Sequence, residues 1–226
     1  MSEPRDPRRF ERKYPLTEGE LVDFRWWHRT RGRQFRRAYA ERTIHNVYFD
    51  SPDWDRYGDN LSGMSSRTKC RLRWYGGLEP SGTLTFEAKH RRNALGHKGQ
   101  HPIAADALGL ADLPFPRLYE RLRSLLPGEL RLELDQGHRP ALYNSYRREY
   151  YATVNGIRMT VDTGVVYAPV QGGTLRDLRP TPSAAPTVVE FKFSQGRRVE
   201  AEAELRRMPF RATRSSKYVV GVDHLR

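Results

Sequence analysis

The chain has 226 residues and a mass of 26.3 kDa, and its 37% hydrophobic and 11% aromatic content supplies a packed core and excludes disorder over most of its length. Basic residues number 40 against 27 acidic ones, a formal charge of +13, so nucleic acid, anionic membrane or phosphate chains are the expected partners. A single cysteine, Cys70, excludes a disulfide framework and a multi-cysteine zinc site, while the lack of a long apolar run and the polar start at Met1 lead to the expectation of a soluble, cytoplasmic protein.

From the N-terminus, Arg9 to Tyr14 reads as a short extended segment closed by Pro15. Thr17, with Glu18 and Glu20 behind it, is placed to start a helix that carries Leu21, Phe24, Trp27 and His28 at helical spacing. A basic loop, Arg29 to Arg37, leads into a strand over Thr43 to Asp50, and Ser51-Pro52-Asp53 opens a turn or short helix with Trp54 and Tyr57. Ser65 to Tyr75 and Thr83 to Arg91 form a hairpin around a Gly-rich connection, followed by helical pieces over 103–126 with Leu118, Leu122 and Leu125 on one face. Leu142 to Val154 and Ile157 to Tyr167 read as a hairpin whose Asn155-Gly156 predicts a type I′ turn. A Pro- and Gly-rich excursion from Pro169 to Pro186 precedes a strand over Thr187 to Phe193, a helix over Glu200 to Arg207, and an apolar segment, Ser215 to Val222, whose type the pattern leaves open. No repeat or linker divides the chain, so residues 1–226 are expected to form one antiparallel β-domain decorated with helices.

The strand faces carry the functional signal. A half-buried strand alternates apolar and assorted polar residues, but here Arg67, Lys69, Arg71 and Arg73 share one face, opposite Cys70, Leu72 and Trp74. Glu87, Lys89 and Arg91 follow on the next strand. Arg158, Thr160 and Asp162 oppose Met159 and Val161, Glu190 and Lys192 oppose Phe191 and Phe193, and Glu11 and Lys13 share a face near the start. Like charges stacked along a strand repel unless an anion or carboxylates lie among them. The chain has only six lysines, at 13, 69, 89, 98, 192 and 217, against 34 arginines. Lysines kept in so arginine-rich a chain point to positions where a compact ammonium is needed.

Carboxylates two residues before a lysine, at Glu11, Glu87 and Glu190, combine groups for a divalent cation with groups for phosphate. With Asp162 they offer only hard oxygens, suited to Mg²⁺ or Mn²⁺ and not to zinc. His97 and His101 lie among Gly96, Gly99 and Pro102, residues that argue against a metal-binding helix and for a loop. No Walker loop or nucleophile elbow occurs. A closed barrel would turn the charged faces inward and leave the apolar faces for the helices.

Several motifs occur together and in order: Glu11-Arg12-Lys13-Tyr14, Val47-Tyr48-Phe49-Asp50, Arg71-Leu72-Arg73-Trp74-Tyr75-Gly76, Glu87-Ala88-Lys89, Tyr146-Arg147-Arg148, Arg158 to Thr163, Glu190-Phe191-Lys192 and Ser216-Lys217-Tyr218. Over residues 9 to 222 this series resembles the VTC domain, the polyphosphate-polymerase branch of the triphosphate tunnel metalloenzymes related to the CYTH group. The resemblance implies an α+β fold built on a closed antiparallel eight-stranded β-barrel, or triphosphate tunnel, decorated with helices. It gives phosphate contacts and catalytic roles to Arg71, Arg73, Lys89, Arg148, Arg158 and Lys192, with Lys13, Arg67, Lys69, Lys98 and Lys217 as further phosphate-binding positions. It places Tyr146 near the nucleotide base and metal on Glu190, assisted by Glu11 or Glu87. Tyr146-x-Arg148 matches the family pattern better than Arg147 does. The helical regulatory domain and membrane segments of the eukaryotic polymerase have no counterpart in this sequence, so coupled export of product is not expected, although a membrane-protein partner is compatible with it.

The expected activity is Mg²⁺- or Mn²⁺-dependent phosphoryl transfer, with ATP or another triphosphate and polyphosphate as ligands. A chain end as acceptor gives polyphosphate and ADP, whereas water as acceptor makes the same site a triphosphatase. Two other classes compete: a nucleic-acid-binding module using Arg29 to Arg37, Tyr39, Trp26 and Trp27, and a tunnel that binds polyphosphate without turnover. Nucleic acid is the less expected ligand.

Overall fold

The computed structural model describes residues 9–92, 95–136, 139–184 and 187–226. It is an α+β fold with one large antiparallel sheet and seven α-helices among the described residues. In chain order these are β1 (Arg9–Leu16), α1 (Glu18–Thr30), β2 (Arg36–Asp50), α2 (Asp55–Leu61), β3 (Ser66–Tyr75), β4 (Thr83–Arg92), β5 (Leu95–Ala104), α3 (Ala105–Leu108), α4 (Phe115–Leu125) and α5 (Gly128–Asp135). The remainder are β6 (Arg139–Ala152), β7 (Arg158–Pro169), β8 (Thr181–Pro182), β9 (Thr187–Ser194), α6 (Arg198–Leu205) and α7 (Lys217–Leu225).

The strands follow the order β1-β9-β7-β6-β2-β3-β4-β5, with β8 paired to β7. Among the described residues this hydrogen-bonded path ends at β1 and at β5, so the expected closed eight-stranded barrel is corrected to an open nine-stranded sheet. Pro102 takes a donor out of β5, as befits a strand at an edge. Contacts gather the chain into two compact units, one of residues 1–42, 147–165 and 184–215, the other of 43–146, 166–183 and 216–226.

In the first unit, Tyr14 and Leu16 of β1, Met159 and Val161 of β7 and Val189, Phe191 and Phe193 of β9 form one apolar face. They pack against Phe24 and Trp27 of α1 and Ala201 and Leu205 of α6, each fully buried Leu or Phe contributing about 1.5–3 kcal/mol. Thr17 caps α1 by accepting from the Glu20 amide while the Glu20 carboxylate accepts from the Thr17 amide at 2.8 Å. Arg25 then ties the helix to the sheet by donating to the buried Glu149 at 2.9 Å.

In the second unit, Val47 and Phe49 of β2, Cys70, Leu72 and Trp74 of β3 and Leu84, Phe86 and Ala88 of β4 face Leu108, Phe115, Leu118, Leu122, Leu130 and Leu134 of α3 to α5. Asp50 closes the start of α2 by accepting from the amides of Arg56 at 2.8 Å and Tyr57 at 2.9 Å. It also accepts from the Tyr218 hydroxyl of α7. Both cores leave the charged residues of the same strands on the opposite face, as the period of two requires.

Three local expectations change, and one segment left open takes a definite form. The Leu142–Tyr167 hairpin forms, but Asn155 does not take a positive φ; Gly156 alone does, at 82°, and its amide donates to the Thr153 carbonyl at 3.1 Å. The turn is therefore centred one residue earlier than a type I′ turn, with glycine in the left-handed position after it. The segment read as a histidine-bearing loop is β5, paired residue for residue with β4. The basic loop is shorter than expected, because α1 runs to Thr30 and β2 begins at Arg36. The segment 215–222 is mostly helix α7, capped by Ser216.

Candidate phosphate and metal site

In the first unit, antiparallel pairing of β1 with β9 sets Glu11 opposite Lys192 and Lys13 opposite Glu190. This checkerboard produces a network of four ion pairs. Lys13 lies 2.8 Å from Glu11 and 3.8 Å from Glu190, and Lys192 lies 3.1 Å from Glu190 and 3.9 Å from Glu11. Glu190 is buried, whereas Glu11 is half-exposed. On the next strand Arg158 is opposite Lys192 and Thr160 is opposite Glu190. Arg158 is exposed. Arg148 of β6 donates to both oxygens of the buried Asp162, at 2.5 and 2.7 Å. The Arg147 side chain is 65% exposed, with Glu41 at 4.0 Å, against 14% for Arg148, so Arg148 is the more buried arginine of the pair.

In the second unit, register across β3, β4 and β5 builds lateral rows. Lys69 is opposite Lys89, and Lys89 is opposite Lys98. Three ammonium groups in one row are unfavourable for a sheet with nothing to bind, since like charges directly opposite destabilise it. The adjacent row reads Tyr48, Arg71, Glu87, Gln100. Glu87 is the buried counterion: it accepts from Arg71 at 2.6 Å and from Lys98 and Gln100 at 2.9 Å each, with Arg73 at 3.7 Å. Burial opposes its ionisation, but Arg71, Arg73 and Lys98 prevail and bring the carboxyl down to about 2. Dehydration holds the Lys98 ammonium below the usual lysine range, the two arginines push the same way, and Glu87 opposes them.

Arg73 is further oriented from behind. Its Nε donates to Asn46 Oδ1 at 2.9 Å, and Asn46 Nδ2 donates to Asn144 Oδ1 at 2.9 Å. Both amides are fully buried, and Asn144 Nδ2 has no partner among the described residues. From α7, Ser216 Oγ accepts from Lys69 Nζ at 2.7 Å, and the Lys217 ammonium lies 4.7 Å above the Tyr146 ring. Tyr146 is buried at 3% exposure. Arg67 donates to the Met64 carbonyl at 2.6 Å, and Lys89 is exposed.

The expected site residues thus fall into two sets. Glu11, Lys13, Arg148, Arg158, Glu190 and Lys192 belong to the first unit, and Arg67, Lys69, Arg71, Arg73, Glu87, Lys89, Lys98, Tyr146 and Lys217 to the second. All six lysines of the chain are among them. Asn46, Asn144, Gln100 and Ser216 were not singled out from sequence. A buried asparagine inside an apolar strand run was the available signal for the first two.

Among the described residues no three His, Cys, Asp or Glu side chains gather as a preformed metal cage. Glu190 and Glu11 on paired strands nonetheless fit Mg²⁺ or Mn²⁺, which bind through one or two carboxylates and complete their shell with phosphate oxygens and water. Each of the three carboxylates carries cations: Lys13 and Lys192 pair with Glu11 and Glu190, while Glu87 accepts three hydrogen bonds, from Arg71, Lys98 and Gln100. Cys70 offers no thiolate, because burial pushes its thiol up to about 12.

The VTC domain family model matches residues 8–226, so the match spans both units and the chain belongs to the VTC domain family. No curated protein matches it. Among solved structures, it is similar to HpAC1 of Hippeastrum, named for adenylyl cyclase activity and described as having a dominant triphosphatase activity, at 14% identity and a TM-score of 0.56, covering 96% of this chain and 95% of that one. It is also similar to the PH1819 protein of Pyrococcus horikoshii, at 15% identity and a TM-score of 0.51 over 96% and 97% of the two chains. An adenylate cyclase candidate of Vibrio parahaemolyticus has 11% identity and a TM-score of 0.52 over 96% and 98%. At these identities the likeness concerns the fold. No described helix is long and apolar enough to cross a membrane.

Proposed function

We propose that this chain is a metal-dependent phosphoryl-transfer enzyme of the VTC type, acting as one domain, that takes ATP as donor and extends polyphosphate with release of ADP. The observation that carries the proposal is the Lys69–Lys89–Lys98 row beside Arg71 and Arg73. It places five cations on neighbouring rows of one sheet face with the buried Glu87 carboxylate among them, an arrangement that favours a chain of phosphates over a single anion.

Arg71 and Arg73, fixed by Glu87 and by Asn46, present rigid guanidinium donors to phosphate oxygens. In the second unit the three lysines of the row and Lys217 supply positive charge for phosphate oxygens, and in the first Lys13, Lys192, Arg148 and Arg158 do the same. Glu190, with Glu11, is the pair that would hold Mg²⁺ or Mn²⁺. When bound, the ion would supply charge neutralisation and alignment of phosphate oxygens. Such catalysis rests on positioning and electrostatics without a covalent protein nucleophile. Tyr146, beneath Lys217, is the side chain assigned to the nucleotide end.

A triphosphatase is the second reading, supported by the activity described for HpAC1; it differs only in having water attack in place of a chain end. Incubation of the protein with ATP and Mn²⁺, with and without a short polyphosphate primer, separates the two when ADP, phosphate and long chains are resolved. Long chains and ADP, absent with Glu190→Ala, are the expected result. Phosphate without chains moves the assignment to triphosphatase, and no product with any divalent metal removes the catalytic proposal.

A further inference from the structure

The charge surplus of the chain is not confined to the two clusters. Residues 29–42 hold six arginines, at 29, 31, 33, 36, 37 and 42, against one acid, Glu41. All six lie in the first unit. Arg29 and Arg31 end α1, Arg33 donates back to the Arg29 carbonyl at 2.9 Å, and β2 then leads off with residues 36–42 exposed at every position. The register of β3 with β2 runs from Ile44 to Phe49 only, so among the described residues that edge of β2 has no strand beside it over 36–42. The result is an arginine-studded strand edge that also offers backbone N–H donors. At 3.3 Å per residue it extends about 20 Å.

Charged side chains commonly guard an open edge against aggregation. Guarding alone, however, requires neither the two arginines at the end of α1 nor Arg33 folded back onto them. Guanidinium groups at this density, with edge amides between them, fit a flexible polyanion lying along the edge. The aromatic residues favour a phosphate chain over nucleic acid. Trp27 is buried in the core, Trp26 and Tyr39 are exposed, and Tyr39 holds Tyr150 edge-on at 5.8 Å, so among the described residues of this segment two separate rings, not a continuous row, are offered to successive bases.

We propose that the arginine edge over residues 29–42 is an accessory track for long polyphosphate, outside the phosphate and metal site and selective for chain length. The inference rests on the reading that phosphate chains are the ligands of this protein. The variant Arg31→Gln/Arg33→Gln/Arg36→Gln/Arg42→Gln leaves Arg37 on Glu149 and touches none of the clustered site residues. Calorimetric titration with tripolyphosphate and with long-chain polyphosphate compares it with the wild type, and thermal unfolding checks the fold.

The expected result is unchanged tripolyphosphate affinity, at least tenfold weaker long-chain binding at low salt, and a log-log salt slope shallower by about 3, at roughly 0.7 per neutralised phosphate. The corresponding Arg→Lys variant should restore most of the long-chain affinity. Equal loss for both ligands, no loss for either, or failure of the lysine variant to recover overturns the proposal. Binding of single-stranded RNA more tightly than polyphosphate, lost in the same variant, assigns the edge to nucleic acid instead. A wild type that binds neither phosphate ligand removes the functional reading itself, and is distinguished from failure of the track because tripolyphosphate binding is lost as well.

Discussion

The two units solve different electrostatic problems with the same strand grammar. In the first, Glu11, Lys13, Glu190 and Lys192 alternate in sequence and in register, so two carboxylates meet two ammoniums and the charges balance. In the second, the Glu87 carboxylate faces Arg71, Arg73 and Lys98, with Lys69 and Lys89 in the neighbouring row. A balanced cluster holds its shape without ligand and has carboxylate oxygens to offer a cation. A cation-rich cluster is under repulsion that an anion relieves. Carboxylates therefore have opposite duties here: Glu190 is a candidate ligand, whereas Glu87 is a brace.

That contrast is broken most severely by removing the brace. Glu87→Ala should destabilise the protein by about 3–5 kcal/mol in urea unfolding, because it strands buried guanidinium groups. Unchanged stability would show that Arg71 and Arg73 need no counterion. Glu190→Ala should leave unfolding nearly unaltered yet lower turnover roughly a thousandfold, a split that assays of kcat alongside melting temperature can verify.

Acid titration separates the clusters next. The Glu87 carboxyl is lowered from 4.5 to about 2 on folding, so its contribution is complete above about pH 4.5 and is lost as the pH falls toward 2. A tenfold change in proton affinity is worth about 1.4 kcal/mol, which makes the total about 3 kcal/mol. In Glu87→Gln, that part of the acid dependence of stability should vanish.

Smaller effects sharpen the picture. Lys89→Ala should weaken tripolyphosphate binding about tenfold while stability holds or rises by a few tenths of a kcal/mol from relieved repulsion. Asn46→Leu, which removes the support behind Arg73, should weaken the same ligand by about fivefold and have no further effect in an Arg73→Ala background. Additive losses in that double-mutant cycle would mean that Asn46 acts on the fold and not through Arg73.

Much of this arrangement was legible in the residues. Alternation on β3, β4, β7 and β9 placed the charged faces correctly, and of the six scarce lysines five stand in the ion-pair network or the lysine row, while Lys217 lies over the Tyr146 ring. Where the sequence misled, side chains carried too little pattern. β5 contains Gly96, Gly99 and Pro102, and its pairing comes from the β4 ladder next to it, not from β-propensity. Gly99 leaves room for α5: a Cβ there would lie 2.6 Å from Leu130. The Asn155-Gly156 signal was correct about the hairpin and wrong about the turn, since Gly156 alone provides the positive φ. Barrel closure was inferred from facing charges, but closure depends on hydrogen bonds at the two end strands, which alternation does not encode. The Asn46–Asn144 relay was invisible because partners 98 residues apart meet only through strand pairing.

The most direct measurement is calorimetric titration of tripolyphosphate into wild type and Glu190→Gln, each with and without Mn²⁺. If cationic residues hold phosphate and Glu190 holds metal, both proteins bind without metal, and Mn²⁺ tightens binding only in the wild type. An equal Mn²⁺ effect in Glu190→Gln, or no binding by either protein, would contradict that division of labour.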